Sequence, residues 1–149
     1  MKIEDLLHHL KPGSQMNIHN KPFVFAGKAK ITLDGGDVRY WLYEEDGGFL
    51  AVAPDAEELV LFHLLDEEID PQGGMILHKG DEHEFSYEDA GVATGVDGGA
   101  AAEEGDRYSF SDYESDEGRV VRLITNENTG EIKAYEGTVV VEEDILASA

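Results

Sequence analysis

The sequence predicts a mainly β protein: two similar antiparallel β units packed as a pseudo-two-fold repeat, with a short N-terminal helix. Three observations carry this prediction. Apolar and polar residues alternate over short stretches, Asp-Gly-Gly signals punctuate them, and elements of the first half recur in order in the second. The chain reads as a single domain, 1–149, with units 14–70 and 73–146 joined at 71–74. Its 149 residues are the size of one ordinary domain, and 41% hydrophobic residues suffice for a core.

Ile3 to Leu10 is the one clear helix, and Lys11-Pro12-Gly13 ends it. Phe23, Phe25, Ala29, Ile31 and Leu33 then alternate as a strand would, with Gly27 marking a bulge or a close approach. Asp34-Gly-Gly-Asp37 offers the positive φ of a hairpin turn, Tyr40 to Tyr43 forms an aromatic strand, and Asp46-Gly-Gly48 turns again. Leu59 to Leu65 is ambiguous: Pro54-Asp55 followed by two glutamates suits a helix start, whereas its match in the second half favours a strand. Ala100 to Glu104 reads as a flexible loop. Arg119–Thr125 and Ile132–Val141 flank Asn126 to Gly130 as a hairpin.

The repeat is legible as pairs. Asp34-Gly-Gly matches Asp97-Gly-Gly, and Arg39-Tyr-Trp-Leu-Tyr matches Arg107-Tyr-Ser-Phe-Ser. Glu58-Leu-Val-Leu-Phe matches Glu131-Ile-Lys-Ala-Tyr, and each unit closes on acids before isoleucine, at Ile69 and Ile145.

Acids outnumber bases 33 to 11, a formal net charge of −22. Residues 41–117 hold 23 of those acids against Lys79 and Arg107 alone. Such a charge disfavours direct binding to nucleic acid or to anionic lipid. It suits a solvated surface, docking to a basic protein partner, or mimicry of a nucleic-acid backbone. No apolar run is long enough to span a membrane, so no membrane insertion is expected. The first ten residues lack a signal-peptide pattern, which points to a cytoplasmic location.

The absence of cysteine removes disulfides, thiolate catalysis and cysteine-based zinc sites. No phosphate-binding glycine loop, dinucleotide fingerprint or nucleophile elbow is present, so no catalytic residue and no cofactor is assigned. The run Asp112 to Gly118 gathers carboxylates as a calcium loop does. It lacks glycine and glutamate at the sixth and twelfth positions and is not an EF-hand. His78-Lys-Gly-Asp81-Glu82-His83-Glu84 places two imidazoles among three carboxylates, a ligand set that suits zinc, iron or nickel, and the repeat brings His19 toward His78. A polar loop between strands explains the same residues. Asp112, Glu114 and Asp116, with Tyr40 and Tyr108 at matching places behind Arg39 and Arg107, are candidate partner-binding residues. Packing across strands is the alternative for the tyrosines.

Leu10-Lys-Pro-Gly-Ser, Phe23-Val-Phe-Ala-Gly, Tyr40 to Leu50, Asp112-Tyr, Gly118 to Ile124, Ala134-Tyr-Glu-Gly-Thr-Val and Asp144-Ile-Leu cover most of the chain. Together they resemble an uncharacterised bacterial family catalogued as domain of unknown function 4178, and a related uncharacterised family. The resemblance implies a β-rich bacterial domain, often encoded near phage-shock-type membrane-stress and polyamine-type genes. That family has no established catalytic residues to carry over. The leading expectation is a non-enzymatic protein-binding or adaptor module. A metal-binding protein or small metal-dependent enzyme using His78, His83 and His19 is the alternative, and a nucleic-acid mimic is a third.

Overall fold

The computed structural model describes residues 1–147. A short helix, α1 (Ile3–His8), is followed by eleven strands. These are β1 (Gln15–Ile18), β2 (Lys21–Leu33), β3 (Val38–Glu44), β4 (Phe49–Ala53), β5 (Glu58–Leu64) and β6 (Met75–His78). Then come β7 (Asp81–Gly98), β8 (Arg107–Glu114), β9 (Val120–Asn126), β10 (Ile132–Val140) and β11 (Ile145–Ala147), with a 3₁₀ turn at Glu142–Asp144. The fold is mainly β with one short N-terminal helix, and the ambiguous segment Leu59–Leu65 resolves as strand through Leu64 rather than as helix.

Eight strands run in the order β2-β3-β4-β5-β10-β9-β8-β7, and β7 pairs back onto β2 to close a barrel. Every pairing is antiparallel. Closure removes the unpaired edges that an open sheet of these strands would present. Outside the barrel, β1 and β6 fold back on the starts of β2 and β7 as two-residue hairpins, and β11 pairs with β1. Both hairpin turns need positive φ at two positions, supplied by His19 and Asn20 in one and by Lys79 and Gly80 in the other.

The barrel interior draws on all eight strands. Ala29, Ile31 and Leu33 of β2 meet Trp41, Tyr43, Phe49, Phe62, Ala93, Tyr108, Phe110, Val120, Ile124 and Tyr135. Trp41 packs edge-on against Tyr108 and Phe110, at 5.9 and 5.7 Å between ring centroids, a geometry favoured by the ring quadrupoles. A second core lies outside β2–β5. There Leu42, Leu50, Val52, Leu59 and Leu61 are covered by Leu6 of α1, by Met16 and Ile18 of β1, and by Ile145. Strands β3 and β4 are thus buried on both faces, which is why their apolar runs hardly alternate. A third, smaller core joins Ile76 of β6 to Tyr113 and Val121.

Gly27 is a close approach as well as a bulge. The β2–β3 register shifts between Phe25 and Gly27, and a Cβ on Gly27 would run into the backbone of Asp97 and Ala100 where β7 crosses β2.

Candidate functional site

His78 and His83 arise from the pairing of β6 with β7. Ile76 opposes His83 and His78 opposes Asp81, so both imidazoles point inward from the hairpin. They are buried, with ring centroids 6.0 Å apart. The first hairpin has the same register and buries Phe23 opposite Met16, with Ile18 beside the turn. The second hairpin therefore carries imidazoles where the first carries apolar groups.

Buried imidazoles require partners. Nδ1 of His83 donates to the Asp81 carbonyl at 3.1 Å. Nε2 of His78 lies 3.0 Å from Glu136 Oε2 of β10, and its Nδ1 lies 3.1 Å from Glu67 Oε1. Lys79 Nζ also donates to Glu136. Partial burial pushes the Glu136 carboxyl up, but the hydrogen bonds from His78 and Lys79 outweigh it and hold the group below its ordinary range. His19 lies 3.0 Å from Asp144 Oδ2. The Asp144 carboxyl is lowered by the Val141 backbone N–H and then by His19.

His19, His78, Lys79, Asp81, His83 and Glu136 line one cleft of about 320 Å³ between the two short hairpins. It contains all three histidines singled out from the sequence, His19, His78 and His83. It also contains His63, which lies opposite Glu136 in the β5–β10 pair. His63 carried no sequence signal because its place depends on β5 meeting β10 across more than seventy residues. Among the described residues, no group of three or more histidine or carboxylate side chains is arranged to hold a metal ion. His19, His78 and His83 share a cleft but are committed to separate oxygen partners.

The candidate partner-binding residues disperse. Asp112 lies on the inner side of β8, where its carboxylate takes a bidentate pair from Arg122 of β9 at 2.7 and 2.9 Å. Arg122 lies 4.6 Å from the Phe62 ring and 4.5 Å from the Phe110 ring. With Arg39, Trp41, Tyr87 and Glu114 it lines a cavity of about 420 Å³ within the barrel wall. Glu114 accepts the Ser86 hydroxyl. Asp116 is exposed on the β8–β9 turn. Tyr40 is half-buried on the outer side, with Lys28 Nζ 5.8 Å from its ring centroid. Tyr108 is in the inner core, and its hydroxyl accepts the Glu103 backbone N–H at 3.0 Å.

A third feature is an apolar groove of about 550 Å³ beside the end of β5, floored by Leu64, Leu65, Ile69, Leu123, Ile132 and Ala134. Leu64 is 39% and Ile132 64% exposed. Leu65 N–H donates to Ala134 O at 2.9 Å and holds the segment against β10. Asp66, Glu67, Glu68 and Asp70 line the groove, and Lys133, its one cation, lies 3.7 Å from Glu131. The acidic run after Leu65 was visible in the sequence. Its apposition to Leu123 and Ile132 was not, because those residues arrive from the second half of the chain.

Among the described residues, no helix is long and apolar enough to cross a membrane. Compared with known proteins, the chain matches no family model, no curated protein and no solved structure.

Proposed function

We propose that this chain is a non-enzymatic protein-binding module that receives a basic, amphipathic segment of a partner in the groove beside β5. One observation carries the reading: exposed Leu64 and Ile132 share a groove with four acids, while its lysine already has an acidic neighbour. An apolar floor supplies burial on docking, and an acidic rim attracts and orients positive charge. Exposed apolar side chains gathered into one groove carry more weight than the same residues scattered singly.

The scaffold is read as two copies of one β unit. Each half supplies a four-residue strand, a long strand and three further strands, and each hairpin turn uses positive φ. The second and the fifth strands of the two copies then meet, where β2 pairs β7 and β5 pairs β10. On the family resemblance, the partner belongs to a bacterial membrane-stress assembly.

The test uses a fluorescent synthetic peptide with leucines on one helical face and lysines on the other, and a glutamate version as control. The lysine peptide is expected to bind saturably, more weakly as salt rises, and the glutamate peptide not at all. Leu64→Asp with Ile132→Asp, both at exposed positions, should weaken binding roughly tenfold or more. Reversal of Glu103 and Glu104 to lysine, outside the groove, should change it less than about twofold. A loss on reversing Glu103 and Glu104 with no loss from the two groove substitutions would reduce the attraction to net charge and sink the groove.

A further inference from the structure

The cleft between the hairpins gathers positive charge in a chain of net charge −22. Lys21, Lys79 and Arg119 line it with four of the chain's six histidines. With acids three times as numerous as bases, a surface cation is expected to meet a carboxylate. Arg39, Arg107 and Arg122 each do, at 2.9, 2.6 and 2.7 Å. Among the described residues, Arg119 is the one arginine whose side chain has no such partner, and Lys21 beside it in the cleft has none either, as is common for the lysines of this chain.

The backbone at Arg119 is held. Its N–H donates to Ser115 Oγ at 3.2 Å and its carbonyl accepts the Ser115 N–H at 2.9 Å, which fixes where the guanidinium starts. Of the carboxylates lining the cleft, Glu136 is already engaged by His78 and Lys79. Asp81 is the remaining one, and its carbonyl orients His83. Ile18, Leu61 and Val120 supply apolar wall.

We propose that this cleft binds a small organic oxyanion, a carboxylate or phosphate on a compact apolar body, with Arg119 and Lys21 holding the charged head. A guanidinium offers paired N–H donors matched to the oxygens of either head, and a lysine adds a second charge. The acidity elsewhere does not forbid this, because at physiological salt it is screened over about 8 Å and the nearest charges dominate. The apolar wall and the cleft's volume suit a ring or short chain behind the head.

Isothermal titration of the whole chain with phenyl phosphate and with benzoate, at matched ionic strength, tests the proposal. Saturable binding of at least one is expected, and the tighter of the two identifies the head. Arg119→Gln and Lys21→Gln, both at exposed positions, should each weaken that binding roughly tenfold. Lys30→Gln, exposed elsewhere on β2, should leave it within about twofold. No binding of either probe up to roughly 10 mM, or an equal loss in the Lys30 variant, would overturn the site.

Discussion

Arg122 lies inside the barrel, its guanidinium between the rings of Phe62 and Phe110 and its Nε and Nη2 paired to the two oxygens of Asp112. The residue is 8% exposed. Its guanidinium carbon lies over both rings while its Nε and Nη2 meet a carboxylate, so the charge has cation–π contacts and an ion pair at once. Neighbouring strands fix the pair, since Asp112 and Arg122 are directly opposite in the β8–β9 register.

Breaking that pair should be costly. Arg122→Met is expected to destabilise the fold by about 3–5 kcal/mol, because Asp112 is then left largely buried without its cation. Arg122→Met combined with Asp112→Leu should cost less than the single change, since no charge is left unpaired. Urea unfolding followed by Trp41 fluorescence measures both. A double variant as unstable as the sum of the singles would contradict the coupling.

Glu44 should make stability fall as pH rises. Burial, then hydrogen bonding and repulsion from Asp46, push its carboxyl up from 4.5 to about 7. Between those values the folded chain keeps a proton that the unfolded chain releases, so stability declines with rising pH and the penalty is complete above about pH 7. Glu44→Gln should therefore stabilise by about 1 kcal/mol at pH 8, allowing for solvent screening of a half-exposed group. It should do nothing near pH 4. Melting curves across this range decide it, and an equal gain at both ends would point to a cause other than ionisation.

Gly137 is where β10 makes room for an aromatic ring. A Cβ there would lie 2.6 Å from Phe62 Cε1 and 2.8 Å from Cδ1. Phe62 is stacked on Phe49 at 5.0 Å and faces Arg122, so it has little freedom to retreat. Gly137→Ala is expected to cost about 1–3 kcal/mol by overpacking. Recovery of stability in a Gly137→Ala, Phe62→Leu double variant, measured by denaturant unfolding, would identify the ring as the obstacle.

The helix matters through one side chain. Leu6 is 1% exposed and packs in the core outside β2–β5. Leu6→Ala should cost about 2–5 kcal/mol by leaving a cavity. Leu7→Ala, at a half-buried position of the same helix, should cost less. Equal losses, measured by thermal unfolding, would assign the effect to helix propensity instead.

Local signals predicted local structure well. Asp34-Gly-Gly-Asp37, Asp46-Gly-Gly48 and Asn126 to Gly130 all lie at turns between paired strands, because each supplies the positive φ that its turn demands. The helix ends two residues earlier than its apolar pattern suggests, at His8. The length of β7 was hidden: its first half, Asp81 to Asp89, is mostly exposed and acidic, so it shows little alternation even though it pairs with β6 and β8. Barrel closure depends on β2 meeting β7 across some sixty residues, and no local pattern encodes that. The candidate sites followed the same rule. His78 and His83 are neighbours because one hairpin joins them, whereas His63 and the partners of Leu64 come from distant strands.

The most direct test of the binding reading is a two-dimensional amide NMR titration of the isotopically labelled chain with the leucine–lysine peptide. The account predicts saturable shifts centred on Leu64–Asp70, Leu123 and Ile132–Ala134, the residues that form the groove. Shifts centred on the acidic segments around Glu103-Glu104 or Asp112–Glu117, or spread evenly over all carboxylate-bearing loops, would contradict it.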